Sequence, residues 1–247
     1  MHIAAFIPAR YDSSRFKGKP LARILGRPMV WWVYQQVKKS ARIQEVYVAA
    51  DNEKVLEACK AYGIPCIMTA KDHATSTERI YEAARNIPAD VYVCVNGDEP
   101  LIDAGIIEQV IPDHREHFFA SNLMTSMKNP AEVVDNTNIK VVTDDAGNAL
   151  FLSRSPIPYP KASLQFSYYK HLGVLAYSME ALKFFAETPK GPAEKAEDIN
   201  ELRFLEHGKK LRMILVEGKT LSVDTPKDLI FVQKIMEEKQ RKGELSL

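Results

Sequence analysis

At 247 residues the chain is long enough for one large α/β domain or two small ones, and 46% hydrophobic with 26% charged residues is an ordinary globular composition. A net charge of +1 excludes a global affinity for nucleic acid or an anionic membrane, so any polyanion must bind at a local cluster. No apolar run approaches the roughly 20 residues a membrane helix needs. Met1 leads into a strand rather than a signal peptide, and Cys59, Cys66 and Cys94 form no CxxC pair, so reduced thiols in a cytoplasmic protein are expected.

Ile3 to Ile7 is a short apolar run bounded by Pro8, the pattern of a buried parallel strand. A polar, cationic loop follows directly, with Arg10, Ser13, Ser14, Arg15, Lys17, Gly18 and Lys19. Ligands of open α/β sheets bind beyond the carboxyl ends of strands, where such a loop suits a triphosphate. A solvated surface loop is the other reading, because the P-loop spacing is absent. Met29 to Ser40 has helical spacing, with Trp31 and Trp32 unable to face the core alike. Glu45 to Ala50 is a strand, and Asp51 or Asn52 caps a helix through Ala61 that Gly63 closes. With Ile64 to Met68 as the next strand, the alternation predicts a parallel, doubly wound sheet.

In the polar stretch Thr69 to Arg79, Thr75 or Ser76 caps a helix over Glu78 to Asn86, or the free N–H groups and Arg79 meet a ligand. Asp90 to Val95 is the most β-rich run and ends in Asn96-Gly97-Asp98-Glu99-Pro100. Carboxylates at the edge of a central strand suit Mg²⁺, and a turn with a helix cap is the alternative. A helix begins at Ile106, Phe118 to Met124 is a strand, and Asn136 to Leu152 reads as a hairpin turning at Asp144 to Gly147. Pro156, Pro158 and Pro160 exclude a helix there, so residues 125–168 read as an excursion that covers the site, forms a dimer contact, or both. Tyr168 to Tyr177 is a strand carrying His171, and a lone histidine in a strand is more often structural than catalytic. Met179 to Glu187 and Ala196 to His207 read as helices, and Leu211 to Val216 as a strand. Thr225 caps the final helix, with Pro226 at its first position, and Asp224 just before the cap reads as a turn residue.

Seven blocks then occur in order: Ile7-Pro-Ala-Arg through Lys19-Pro-Leu, His73 to Arg79, Gly97-Asp-Glu-Pro, Asn138 to Val142, Ser153-Arg154, His171-Leu-Gly and Val223-Asp-Thr-Pro. Together they resemble the CMP-Kdo synthetases, the 3-deoxy-manno-octulosonate cytidylyltransferases. The resemblance implies one nucleotidyltransferase domain over residues 1–247, α/β, with a mixed, mostly parallel sheet flanked by helices, as in nucleotide-diphospho-sugar transferases. It implies a Mg²⁺-dependent homodimer, without nucleic-acid or membrane partners, in which a sugar-acid hydroxyl attacks the α-phosphorus of CTP in lipopolysaccharide or capsule synthesis. On that basis Arg10, Arg15 and Lys19 are assigned to the triphosphate, with Lys19, Arg10 and Asp98 catalytic and Asp98 and Asp224 on the metal. Pro8, Ala9, Ser13, Thr75, Ser76 and Thr77 complete the nucleotide set. Arg79, Asn96, Arg154, His171, Tyr177, Asn200 and Glu201 are assigned to the acceptor. Departures from the family pattern are Asn96 for Gln, Thr75-Ser76 for Ser-Gly, Asn200-Glu201 for Glu-Gln, Leu175 for an aromatic and Pro158-Tyr159 for Pro-Trp, and they are read as changes at the acceptor while the nucleotide and metal positions are kept. An amino-substituted Kdo, another ulosonate or a phosphonate therefore stands beside Kdo as acceptor, and a catalytically inactive CTP-binding relative is the reading from another class.

Overall fold

The computed structural model describes residues 1–12, 16–162, 166–218 and 221–245. Strand β1 (Ile3–Ala9) leads through a one-turn 3₁₀ helix (Lys19–Leu21) and a small ribbon, β2 (Arg23–Ile24) and β3 (Arg27–Pro28), to α1 (Met29–Lys38). Then follow β4 (Glu45–Ala50), α2 (Glu53–Ala61), β5 (Cys66–Met68), α3 (Ser76–Ala84), β6 (Val91–Val95), α4 (Ala104–Glu108) and β7 (Ala120–Ser126). The second half has α5 (Pro130–Val134), the hairpin β8 (Lys140–Thr143) and β9 (Ala149–Ser153), and the long β10 (Tyr169–Tyr177). Helices α6 (Met179–Glu187), α7 (Pro192–Glu197) and α8 (Leu202–Glu206), strand β11 (Arg212–Leu215) and helix α9 (Pro226–Arg241) complete the chain.

The main sheet runs β11-β7-β10-β6-β1-β4-β5, and β8 and β9 extend it from the start of β10. Strands β5, β4, β1 and β6 are mutually parallel, β7 and β11 run the same way, and only β10 is reversed within that path. The mixed, mostly parallel sheet flanked by helices is therefore the observed architecture. Strand β1 is central because it is apolar on both faces. Ile3, Ala5 and Ile7 enter one core layer with α1, while Ala4 and Phe6 enter the other with α3 and α6. A third cluster packs Val223, Val232 and Met236 of the C-terminal segment onto Ile24, Met29 and Trp32. Trp32 is the buried tryptophan of its pair and donates its indole N–H to the Ile24 carbonyl at 2.8 Å.

Two expectations need correction. The helix expected over Ala196 to His207 is two short helices, because Asp198 adopts a left-handed φ of 52° that ends α7. The helix expected from Glu78 begins at Ser76, with Thr75 as its cap. Among the described residues no helix is long and apolar enough to cross a membrane.

Candidate active site

Parallel pairing of β1 with β6 sends the chain segments after Ala9 and Val95 out of the same sheet edge. Gly97 brings them together: a Cβ there would lie 2.8 Å from the Pro8 carbonyl oxygen, so only glycine lets the loop pass. The next residue is Asp98. The 3₁₀ turn, anchored by buried Pro20, presents Lys19 to it, and Lys19 Nζ donates to Asp98 Oδ2 at 2.7 Å. Lys19 Nζ also lies 3.6 Å from Asp224 Oδ1.

Asp224 reaches Lys19 by long-range pairing. The Val223 N–H donates to the Asp98 carbonyl at 2.8 Å, and the Val223 side chain is fully buried in the third cluster. Thr225 and Asp228 then close a capping box that fixes where α9 starts. Lys19, Asp98 and Asp224, far apart in sequence, thus meet at one point, all partly buried.

This cluster borders a cavity of about 940 Å³. Pro8, Arg10, Lys19, Thr75, Ser76, Arg79, Asn96, Asp98 and Arg154 all line it. Ala9 and Thr77 are buried behind the wall instead. Ser13 and Arg15 lie outside the described residues. Arg10 is exposed, whereas Arg79 is 2% exposed and already engaged. Arg79 donates to the Ala70 carbonyl at 3.0 Å and to Asp51 Oδ2 at 3.3 Å. Burial pulls the Arg79 guanidinium below its usual pKa and neighbouring Asp51 opposes that. The Thr75 hydroxyl accepts from the Glu78 N–H, so it serves as a cap while its residue lines the wall.

A second cavity, about 220 Å³, shares Asn96, Asp98 and Arg154 with the first and adds Glu99, Lys170, His171 and Asp224. Because β10 is antiparallel, its first residues reach this edge and its last leave it. Tyr177 is corrected accordingly: it lines neither cavity, packs in the core with its ring tilted against Phe204, and its hydroxyl lies 3.4 Å from that of Thr77. Asn200 and Glu201 also line neither cavity, but Glu201 Oε2 stands 3.8 Å behind His171 Nε2. Burial pulls His171 below the usual histidine pKa and Glu201 acts against it.

A bulge positions this wall. The register of β10 against β7 shifts between His171 and Leu175, and buried Asn122 fills the gap, donating to the Leu172 and Val174 carbonyls at 2.8 and 2.9 Å. Gly173 sits at the bulge, where a Cβ would fall 2.5 Å from Asn96 Nδ2. Its N–H donates to Glu99 Oε1 at 3.3 Å, while Glu99 Oε2 has no partner. Burial, with the charge of Asp98 beside it, pushes Glu99 up to about 8. Arg154 is pinned by the carbonyls of Glu197, Asn136 and Asp198 at 2.7, 3.1 and 3.1 Å. Lys140, fully buried, ties together the carbonyls of Asp135, Asn138 and Arg154.

His73, Asn136, Thr137, Lys170 and Ser222 line these cavities without having been singled out as site residues. His73 lies inside a quoted block, and Lys170 precedes His171; the reversal of β10 is the signal that places Lys170 at the edge.

The donor set fits a hard divalent cation. Two carboxylates converge on a single ammonium, and hard cations take oxygen ligands. Among the described residues no group of three or more His, Cys, Asp and Glu gathers to hold a metal unaided, so substrate oxygens would complete the shell.

Residues 4–211 match the family model described as cytidylyltransferase. A 3-deoxy-manno-octulosonate cytidylyltransferase of Syntrophotalea carbinolica is 39% identical over 244 residues, covering 94% of this chain and 98% of that relative. An 8-amino-3,8-dideoxy-manno-octulosonate cytidylyltransferase of Shewanella sp. (strain ANA-3) is 38% identical, covering 93% of this chain and 96% of that one. Among solved structures, a CMP:2-keto-3-deoxy-manno-octonic acid synthetase complexed with CTP superposes with a TM-score of 0.91 at 36% identity, covering 97% of this chain and all of that one.

Proposed function

The chain belongs to the cytidylyltransferase family, among enzymes of the Kdo and amino-Kdo type, and from that premise we propose that it transfers CMP from CTP to a Kdo-like sugar acid. The acceptor hydroxyl oxygen attacks the α-phosphorus, the bond from that phosphorus to the pyrophosphate oxygen breaks, and the hydroxyl proton is released. The products are the CMP-sugar acid and pyrophosphate. One observation carries the reading: Lys19, Asp98 and Asp224 meet at the carboxyl edge, between a large cavity lined by Arg10 and a small one lined by His171.

Asp98 and Asp224 would hold Mg²⁺, which supplies positive charge to phosphate oxygens and makes a nearby hydroxyl more acidic. Lys19 then exchanges a carboxylate for a phosphate oxygen and, with Arg10, offsets charge on the leaving pyrophosphate. The wall from His73 to Ser76 faces the nucleotide, and the small cavity takes the acid, with Arg154 and Lys170 supplying positive charge for its carboxylate. Asn136, Thr137 and Arg154 bring the excursion to this side, in one nucleotidyltransferase domain of a cytoplasmic homodimer.

The amino-substituted acid is the second acceptor reading, because a relative named for that substrate is 38% identical, against 39% for one named for the unsubstituted acid. Mass spectrometry after incubation with CTP, Mg²⁺ and a panel of sugar acids tests both readings. A CMP conjugate of Kdo or its 8-amino analogue is expected. No conjugate with any ulosonate, or equal conversion with UTP, contradicts the proposal.

A further inference from the structure

Arg203, fully buried on α8, is committed to a network that ends at the nucleotide wall. Its guanidinium makes two bonds to buried Glu194, at 2.7 and 2.6 Å, and lies 3.8 Å over the Phe185 ring. Its remaining nitrogen donates to the Phe185 carbonyl at 2.8 Å and to Glu78 Oε1 at 3.4 Å. Glu78 divides its two oxygens. While Oε1 faces Arg203, Oε2 accepts from the backbone N–H groups of Ala74 and Thr75, at 2.9 and 3.2 Å. Ala74 and Thr75 line the large cavity.

A capping box needs only the second half of this arrangement, and a glutamine at that helix position also completes one. The contact with Arg203 is additional. It fixes the carboxylate plane from behind, and with it the path of the segment running from Ala74 into α3. We propose that the Glu78–Arg203 pair positions the Ala74–Ser76 wall for the nucleotide, so that a residue of α8 tunes CTP affinity without touching CTP. This rests on the reading that the large cavity holds CTP.

Glu78→Gln separates the two halves. The cap can persist, but an amide N–H₂ cannot satisfy both the backbone donors and the Arg203 donor. Calorimetric titration with CTP and Mg²⁺, together with steady-state kinetics, should give a roughly tenfold weaker Kd and KM for CTP, with kcat within about twofold. Arg203→Lys, which keeps charge but loses the fork, should move KM for CTP the same way. Removing the cap of α6 with Ser178→Ala lowers stability away from the cavity and should leave CTP binding unchanged, which separates positioning from general loosening. CTP binding by Glu78→Gln equal to wild type, or a CTP loss equally large in Ser178→Ala, overturns the inference. Wild-type protein that binds no CTP overturns the functional reading instead.

Discussion

The two halves of the site are built on opposite principles. On the proposed nucleotide side, parallel strands β1 and β6 end together and release cations into an open cavity: Arg10 is exposed, and Lys19 pairs with Asp98 and Asp224. On the proposed acceptor side, antiparallel β10 and the β8–β9 hairpin form a wall in which Arg154 and Lys140 are bonded to backbone carbonyls, while Glu99 Oε2 and His171 Nε2 have no hydrogen-bond partner among the described residues. The difference teaches that charge near a site has two uses. One set faces a cavity where a ligand can take the place of its present partners; the other is spent on carbonyls that irregular backbone would otherwise bury unpaired.

Substitutions that trade one use for the other break this comparison. Lys19→Met should have the largest catalytic effect, a loss of roughly 10²- to 10³-fold in kcat measured by pyrophosphate release, while thermal unfolding moves little. The acceptor side predicts the reverse for Lys140→Met. Three carbonyls lose their donor, so denaturant unfolding should show a loss of about 3 kcal/mol, with CTP affinity of the folded fraction unchanged. Arg154→Ala should do both, raising KM for the acceptor about tenfold and lowering stability by about 1–2 kcal/mol, whereas Arg10→Ala should raise KM for CTP alone.

A smaller effect distinguishes Glu99. Its folded pKa of about 8 lies above the ordinary carboxylate value of 4.5, so the folded state holds the proton more tightly. The stability this confers is complete below about pH 4.5 and is lost as pH rises through about 8. In metal-free protein, Glu99→Gln should flatten the fall in denaturation midpoint over that window. An unchanged profile would mean that Glu99 is solvated.

The strands that border the large cavity were legible in the sequence because apolar runs followed by polar loops mark buried parallel strands. Thr225 and Pro226 likewise announced α9. The meeting of Asp224 with Asp98 was not legible from local pattern, since it depends on Val223 entering a cluster built by α1 and α9. Tyr177, assigned on the resemblance, lies at the end of β10 that leaves the cavities, which the reversed direction of that strand decides. The break at Asp198 escaped because an apolar spacing suited to one helix continues through a residue whose φ is left-handed. Arg203 and Lys140 are charged residues with no measurable surface signature in sequence; only packing reveals that they are buried.

On the proposed reading, Asp98 and Asp224 share one divalent ion beside the nucleotide. Electron paramagnetic resonance of Mn²⁺ titrated into protein with CTP tests it directly. Wild type should sequester the ion, and Asp98→Asn and Asp224→Asn should each weaken binding by at least about tenfold and abolish pyrophosphate release. Mn²⁺ affinity and turnover near wild type in either variant would contradict it.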